Sequence, residues 1–216
     1  MPKFLMVGDV HGDWKSLTLV IDHYRPDAVI QVGDFGYWPN CQTIWPPPKF
    51  DAPIYFCDGN HEDHWSLASR KSNEVAPNVF YQPRGSVKDI LGKKFLFFGG
   101  ASSIDKNRRT LGIDWFPEEV ASISDLYNLE DTEGVKIVIS HTAPSFLTVL
   151  PNDTNDPTRQ ILDEVFEKVN PKKWFFGHYH WAATFNERGC EFSLLKASYC
   201  ASVPCGKGFI KILSID

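Results

Sequence analysis

The sequence predicts an α/β sandwich, with mostly parallel strands early in the chain, antiparallel strands late, and helices outside. Three observations lead there. Short apolar runs recur, and most end at glycine or a polar residue. These runs lack polar alternation, as strands covered on both faces do. Between them lie stretches with apolar residues at helical spacing.

Phe4–Val7 runs into Gly8-Asp9, Ala28–Val32 into Gly33-Asp34, and Ile54–Cys57 into Asp58-Gly59-Asn60-His61. Phe95–Phe98 runs into Gly99-Gly100, Ile137–Ile139 into Ser140-His141, and Trp174–Phe176 into Gly177-His178-Tyr179-His180. Runs this short, with glycine beside them, read as buried strands. Asp13–Tyr24 sets Leu17, Val20, Ile21 and Tyr24 at helical spacing. Pro117–Leu129 opens with Pro-Glu-Glu, which suits a first helical turn. Pro157–Val169 puts Ile161, Leu162, Val165, Phe166 and Val169 on one face, and Glu62–Arg70 reads as a short helix. The tail reads as β-segments without helices: Thr184–Phe192 turning at Gly189, then Ser193–Ala197 and Gly208–Ile215. Trp38–Pro53 carries five prolines and reads as an ordered, irregular loop.

Composition narrows the class. Hydrophobic residues are 43 % and charged residues 23 % of the 216, ordinary for a globular chain, so one domain over residues 1–216 is expected. Against 22 Lys and Arg stand 27 Asp and Glu, a net charge of −5. That balance argues against non-specific nucleic-acid or membrane binding. No run approaches the ~18 apolar residues of a membrane span, and the five-residue apolar run near the start is short for a signal peptide. Cys41, Cys57, Cys190, Cys200 and Cys205 are odd in number and form no two-residue-spaced pair, which fits a reduced, cytoplasmic setting.

The chemistry gathers at strand ends. Asp9, His11, Asp34, Asn60, His61, His141, His178 and His180 all lie just past predicted strands. In α/β folds, the carboxyl ends of strands are where binding sites form. Each residue has a plainer role when read singly. Asp9 would cap the next helix, Asp34 would sit in a turn, Asn60 would cap Glu62–Arg70, and His141 would be structural. Asp9 with His11, and His178 with His180, are spaced two apart, so extended backbone would aim each pair to one side. As a set, these residues predict metal binding, and their number suggests two ions. Imidazole and carboxylate without thiolate suit Mn²⁺, Fe, Co²⁺, Ni²⁺ or Zn²⁺ rather than Ca²⁺ or Mg²⁺. His23 and His64 read as solvated or helix-surface residues.

Gly8-Asp9-Val10-His11-Gly12, Gly33-Asp34, Gly59-Asn60-His61-Glu62, His141 and Gly177-His178-Tyr179-His180, in that order, resemble the calcineurin-like metallophosphoesterase superfamily. The resemblance implies a four-layered sandwich of two mixed β-sheets flanked by helices. It implies that Asp9, His11 and His180 hold one metal, that Asn60, His141 and His178 hold a second, and that Asp34 bridges them. Hydrolysis of phosphoesters by a metal-bridging hydroxide would follow, with His61 touching the phosphate and protonating the leaving oxygen. Asn60 would ligate through its oxygen, leaving its amide nitrogen for the phosphate.

Many members continue the second block as Gly-Asp-x-x-Asp-Arg-Gly, whereas this chain has Tyr37 and Trp38 at the Asp and Arg positions. That disfavours a protein Ser/Thr phosphatase and makes Asp58 or a later residue a candidate partner for His61. The segment Gly99–Arg109 is similar to one in small bacterial and bacteriophage members, and Lys106 or Arg109 there could clamp phosphate or form a solvated basic turn. Trp38, Trp45, Trp115 and Trp181 lie in predicted loops, as core plugs or as stacking surfaces. The expected function is hydrolysis of a small phosphodiester or nucleotide-type substrate. Nucleic acid enters only as a substrate, no membrane is involved, and the oligomeric state is unread. The alternatives are a phosphomonoesterase, amide hydrolysis at a similar metal pair, and a non-catalytic metal-binding scaffold.

Overall fold

The computed structural model describes residues 1–151, 155–200 and 208–214. Cys205 and Ile215 lie outside the described residues, as does the side chain of Cys200. Among the described cysteines, Cys41, Cys57 and Cys190 are free thiols. No helix among the described residues is long and apolar enough to cross a membrane.

The elements follow in chain order: β1 (Lys3–Val7), α1 (Trp14–Tyr24), β2 (Ala28–Gln31), β3 (Ile54–Phe56), α2 (His64–Ser69), β4 (Glu74–Ala76), β5 (Val79–Tyr81), β6 (Val87–Ile90) and β7 (Lys93–Phe98). After them come α3 (Ile123–Tyr127), β8 (Ile137–Ser140), α4 (Pro157–Val169), β9 (Lys173–Phe176), β10 (Ala183–Glu187), β11 (Cys190–Leu194) and β12 (Ile210–Ser214). Two six-stranded sheets result, ordered β12-β1-β2-β3-β5-β4 and β10-β11-β9-β8-β7-β6. Each has four parallel strands at its centre and an antiparallel strand at either edge.

The period-two alternation of a strand explains the four layers. In β1, Leu5 and Val7 meet Leu17, Val20 and Ile21 of α1, while Phe4 and Met6 face the other sheet. In β9, Trp174 and Phe176 meet Leu162, Val165 and Phe166 of α4, while Phe175 faces inward. Ile30, Phe95, Phe97, Ile137 and Ile139 complete the layer between the sheets. Both faces of the central strands are buried, which is why their sequences show no polar alternation.

Helix starts follow local capping. Asp13 Oδ1 accepts from Ser16 N at 3.1 Å, and Asp156 Oδ1 from Thr158 N at 2.9 Å, so α1 and α4 begin as predicted. Three expectations are corrected. The helix predicted over Pro117–Leu129 is a 3₁₀ turn at Pro117–Glu119, an extended Val120, and a second start at Ser122, where a capping box with Asp125 opens α3. The helix predicted over Glu62–Arg70 begins at His64, with Asp63 as its cap. Ser193 and Leu194 belong to β11 rather than to a separate segment.

Candidate metal centre

The parallel strands of both sheets end at one edge of the sandwich. There β1 delivers Asp9 and His11, β2 delivers Asp34, β3 delivers Asn60 and His61, β8 delivers His141, and β9 delivers His178 and His180. Trp174 Nε1 donates to Ser140 Oγ at 2.6 Å, which pins the end of β8 just before His141. Val10 and His11 both donate backbone N–H to Asp34 O, at 2.9 and 2.8 Å. Asp9 and His11 converge, while His180 turns to Asp9 and His178 to Asn60, and the backbone there is not extended. His11, Asp34, His178 and His180 have φ of 50°, 54°, 70° and 59°. Left-handed backbone disfavours side chains of this size and persists where the surroundings impose it, as at functional sites.

Glycines make the approach possible. A Cβ on Gly177 would lie 1.9 Å from Asp9 Oδ1, and one on Gly59 would lie 2.1 Å from Asp34 Oδ1. Backbone amides then hold the carboxylates. His178 N–H donates to both Asp9 oxygens at 3.2 and 3.0 Å, and His61 N–H donates to Asp34 Oδ1 at 2.8 Å.

Ligand atoms of Asp9, His11, Asp34 and His180 all lie within 4.8 Å of one another. His180 Nε2 is 3.3 Å from Asp9 Oδ2, and His11 Nε2 is 3.6 Å from Asp34 Oδ2. The same Asp34 oxygen is 3.3 Å from His141 Nε2. Asn60 Oδ1 is 3.1 Å from both His141 Nε2 and His178 Nδ1. His141 Nδ1 faces Val32 O at 3.0 Å; a carbonyl only accepts, so Nδ1 carries the hydrogen and Nε2 faces the site. Tyr199 OH, 2.7 Å from His180 Nδ1, orients the second ring.

The electrostatics favour a cation. Burial opposes charge on His141, but Asp34, with Asp9 and Glu62, raises its pKa to about 10. Burial likewise opposes ionisation of Asp34, and the imidazoles of His141, His61 and His11 overcome it, holding the carboxyl well below its usual range. Burial, with the neighbouring His141 charge, lowers His178 to about 3. Burial and the Asp34 charge lift Glu62 to about 8, against bonds from Gly59 and Gly36. The chain fits a divalent ion on its own geometry. His11 Nε2 and Asp34 Oδ2 are buried side by side, and neither makes a hydrogen bond. Nitrogen and oxygen donors meet there without a thiolate.

Several sequence expectations need revision. The Asn60 amide nitrogen gives one of its two hydrogens to Ser103 Oγ at 2.9 Å. Asn60 caps no helix. Asp58 does not partner His61; it takes Arg84 Nε at 2.9 Å, an Arg84 terminal nitrogen at 2.6 Å and Tyr81 OH at 3.0 Å. Beside His61 is Arg109, one terminal nitrogen 2.9 Å from Nε2. Burial, opposed by Asp34 and reinforced by Arg109, lowers the His61 pKa. Arg109 lines a cleft of about 490 Å³ with Asp34, Asn60, His61, Ile104 and Leu150. Lys106 sits on an exposed turn and is not among the described residues lining that cleft. His64 is not a surface residue but 5 % exposed, whereas His23 is exposed as expected. Trp45 packs on Trp14 and Tyr37 as a core plug, Trp38 leans on Phe116, and Trp181 is exposed beside Phe185. Sequence reasoning missed Ser103, Glu119 and Tyr199, whose roles rest on contacts distant along the chain.

The chain is 26 % identical to the lariat debranching enzyme of Schizosaccharomyces pombe over 80 % of its own length, and spans 47 % of that protein. It superposes on the protein TT1561 of Thermus thermophilus with a TM-score of 0.59 at 14 % identity, covering 91 % of this chain and 90 % of that one. Phosphopantetheinyl hydrolase from Mycobacterium tuberculosis matches with a TM-score of 0.52 at 12 % identity, covering 100 % and 96 %. At these identities the two structures speak for the fold alone. Residues 2–182 match the model of the calcineurin-like phosphoesterase family, and the chain belongs to that family.

Proposed function

We propose that this chain is a metal-dependent phosphoester hydrolase with a paired metal centre. Asp9, His11, Asp34 and His180 would hold one divalent transition ion, and Asp34, Asn60, His141 and His178 a second. The observation that carries this reading is the position of Asp34 Oδ2, set between His11 and His141 at 3.6 and 3.3 Å. Two such ions supply charge for the phosphoryl oxygens and lower the pKa of a bound water.

The protein's own groups do the rest. The His61 and His178 amides keep the two carboxylates aimed inward. Arg109 and His61 stand together at the cleft; Arg109 would take a phosphate oxygen, and His61, once protonated, would hand a proton to the leaving oxygen. A cleft of about 490 Å³ with Ile104 and Leu150 on its lining suits a small diester or nucleotide-type substrate. The family relative that debranches lariats supports the diester side of that choice.

The test is a metal-reconstituted screen. The purified chain, loaded in turn with Mn²⁺, Co²⁺, Ni²⁺ and Zn²⁺, is offered aryl phosphomonoesters, aryl phosphodiesters, nucleotides and cyclic nucleotides. Binding of about two ions per chain with diester turnover is expected. Absence of hydrolysis with every metal would overturn the enzyme reading.

A further inference from the structure

Ser103 and Glu119 lie outside the metal-ligand motifs, and both are buried, at 3 % and 0 % exposure. Ser103 donates its backbone N–H to Glu119 Oε1 at 2.6 Å and its hydroxyl to Glu119 Oε2 at 2.8 Å. Burial raises the Glu119 pKa and these two bonds oppose it; with both carboxyl oxygens accepting, the Ser103 hydrogen is committed and Oγ can only receive from its other neighbour. That neighbour is the Asn60 side chain at 2.9 Å, which must therefore present its NH₂. The opposite end, Oδ1, is then turned to His141 Nε2 and His178 Nδ1, at 3.1 Å from each. Glu119 is itself anchored: its carbonyl accepts from Ala101 N at 3.0 Å and from Arg84 at 3.1 Å.

The two ends of an amide are opposite in character. The oxygen carries lone pairs that a cation can use, and the NH₂ would repel it. We propose that Ser103 and Glu119 are positioning residues that set the direction of the Asn60 amide, holding its oxygen toward the point it shares with His141 and His178. This rests on the reading of Asn60 as a metal ligand. Glu119 closes the 3₁₀ turn at Pro117–Glu119, and the chain is extended at Val120 directly after it.

The experiment titrates metal-free protein with Mn²⁺ and with Zn²⁺, reading stoichiometry and affinity by calorimetry and elemental analysis. Each variant's fold is checked by circular dichroism and melting. Ser103→Ala should weaken one of the two ions by about 10–100-fold and leave the other, whereas Ser103→Thr, which keeps the hydroxyl, should restore it. In an Asn60→Asp background both ends of the side chain are oxygens, so adding Ser103→Ala should cause no further loss. A generally structural effect would lower affinity in both backgrounds and would overturn the proposal. In metal-free protein, the Asn60 side-chain amide should give one resolved, exchange-protected NMR pair that Ser103→Ala abolishes. Unchanged affinities and amide signals in Ser103→Ala, with Asn60→Ala still losing one ion, would refute the positioning role and leave the metal reading intact. Unchanged affinities in Asn60→Ala would remove both.

Discussion

Arg109 sets a guanidinium nitrogen 2.9 Å from Nε2 of His61, and the same nitrogen lies 2.7 Å from Asp105 Oδ1. A guanidinium can only donate, so Nε2 of the resting ring is a lone pair and the ring is neutral. A phosphate entering the cleft would take the guanidinium, since charge-assisted bonds to phosphate are short and strong, and would free Nε2 to pick up from solvent the proton that His61 then gives to the leaving oxygen. Arg109→Ala should then raise KM by about tenfold or more, the value of one charged hydrogen bond. His61→Ala should slow diesters with poor leaving groups most. Rates that fall equally for aryl and alkyl esters would remove His61 from proton donation, and strictly additive effects in the double variant would mean that the pair does not act together.

One oxygen of the Asp34 carboxylate lies 3.6 Å from His11 Nε2 and 3.3 Å from His141 Nε2. Asp34→Asn should abolish turnover and reduce occupancy at both positions, with affinity losses beyond the ~10–100-fold typical of outer hydrogen-bond partners. Elemental analysis after metal loading checks it. Full loading with two ions in that variant would contradict the shared role.

Gly177 approaches Asp9 so closely that any Cβ must displace either the carboxylate or β9. Gly177→Ala should remain folded, at a cost of about 1–3 kcal/mol from overpacking, yet lose metal and activity. Gly59→Ala should behave alike through Asp34. A Gly177→Ala protein with native metal content would show that the carboxylate can swing aside harmlessly.

The strand ends were legible because the central strands are apolar on both faces and several stop beside a glycine, of which Gly177 and Gly59 are required by the close packing of Asp9 and Asp34. What was not legible depends on partners far along the chain. Ser102 and Ser103 read alike, and only Glu119, 16 residues on, separates them. Asp63 and Asn60 are both good caps, but Asn60 is drawn away by Ser103, leaving Asp63 to start α2. β4, β5 and β6 escaped notice because they are three or four residues long and partly exposed. Asp58 looked like a partner for its neighbour His61, yet the Arg84 guanidinium, 26 residues on, claims it.

That Asp58–Arg84 pair is largely buried; burial raises the Asp58 pKa, and the Arg84 charge, with the hydrogen bonds from Arg84 and Tyr81, overcomes it and keeps the pKa low. Arg84→Ala would leave a carboxylate in the interior without its cation. Such a break costs about 3–5 kcal/mol, and denaturant unfolding should register it. Asp58→Asn combined with Arg84→Met should recover part of the loss. A double variant no more stable than Arg84→Ala would mean that packing, not charge, is what Arg84 contributes.

His64 gives the fold its own acid sensitivity. Its Nδ1 is 4.0 Å from Asp58 Oδ2, and its Nε2 is buried with no hydrogen-bond partner. Burial lowers the pKa to about 4; Arg84 adds to the effect, while Asp58, Glu118 and Asp34 oppose it. The unfolded ring titrates near ~6.5, so between these values the unfolded chain binds a proton that the folded chain refuses. Stability is therefore fully present above the unfolded value and drains away as pH falls toward about 4. The span corresponds to about 3 kcal/mol. His64→Phe, next to Phe116, removes the titrating group while keeping a ring. The melting temperature of the variant should fall less than that of the parent between those pH values. Parallel curves would show that His64 is solvated before the chain unfolds.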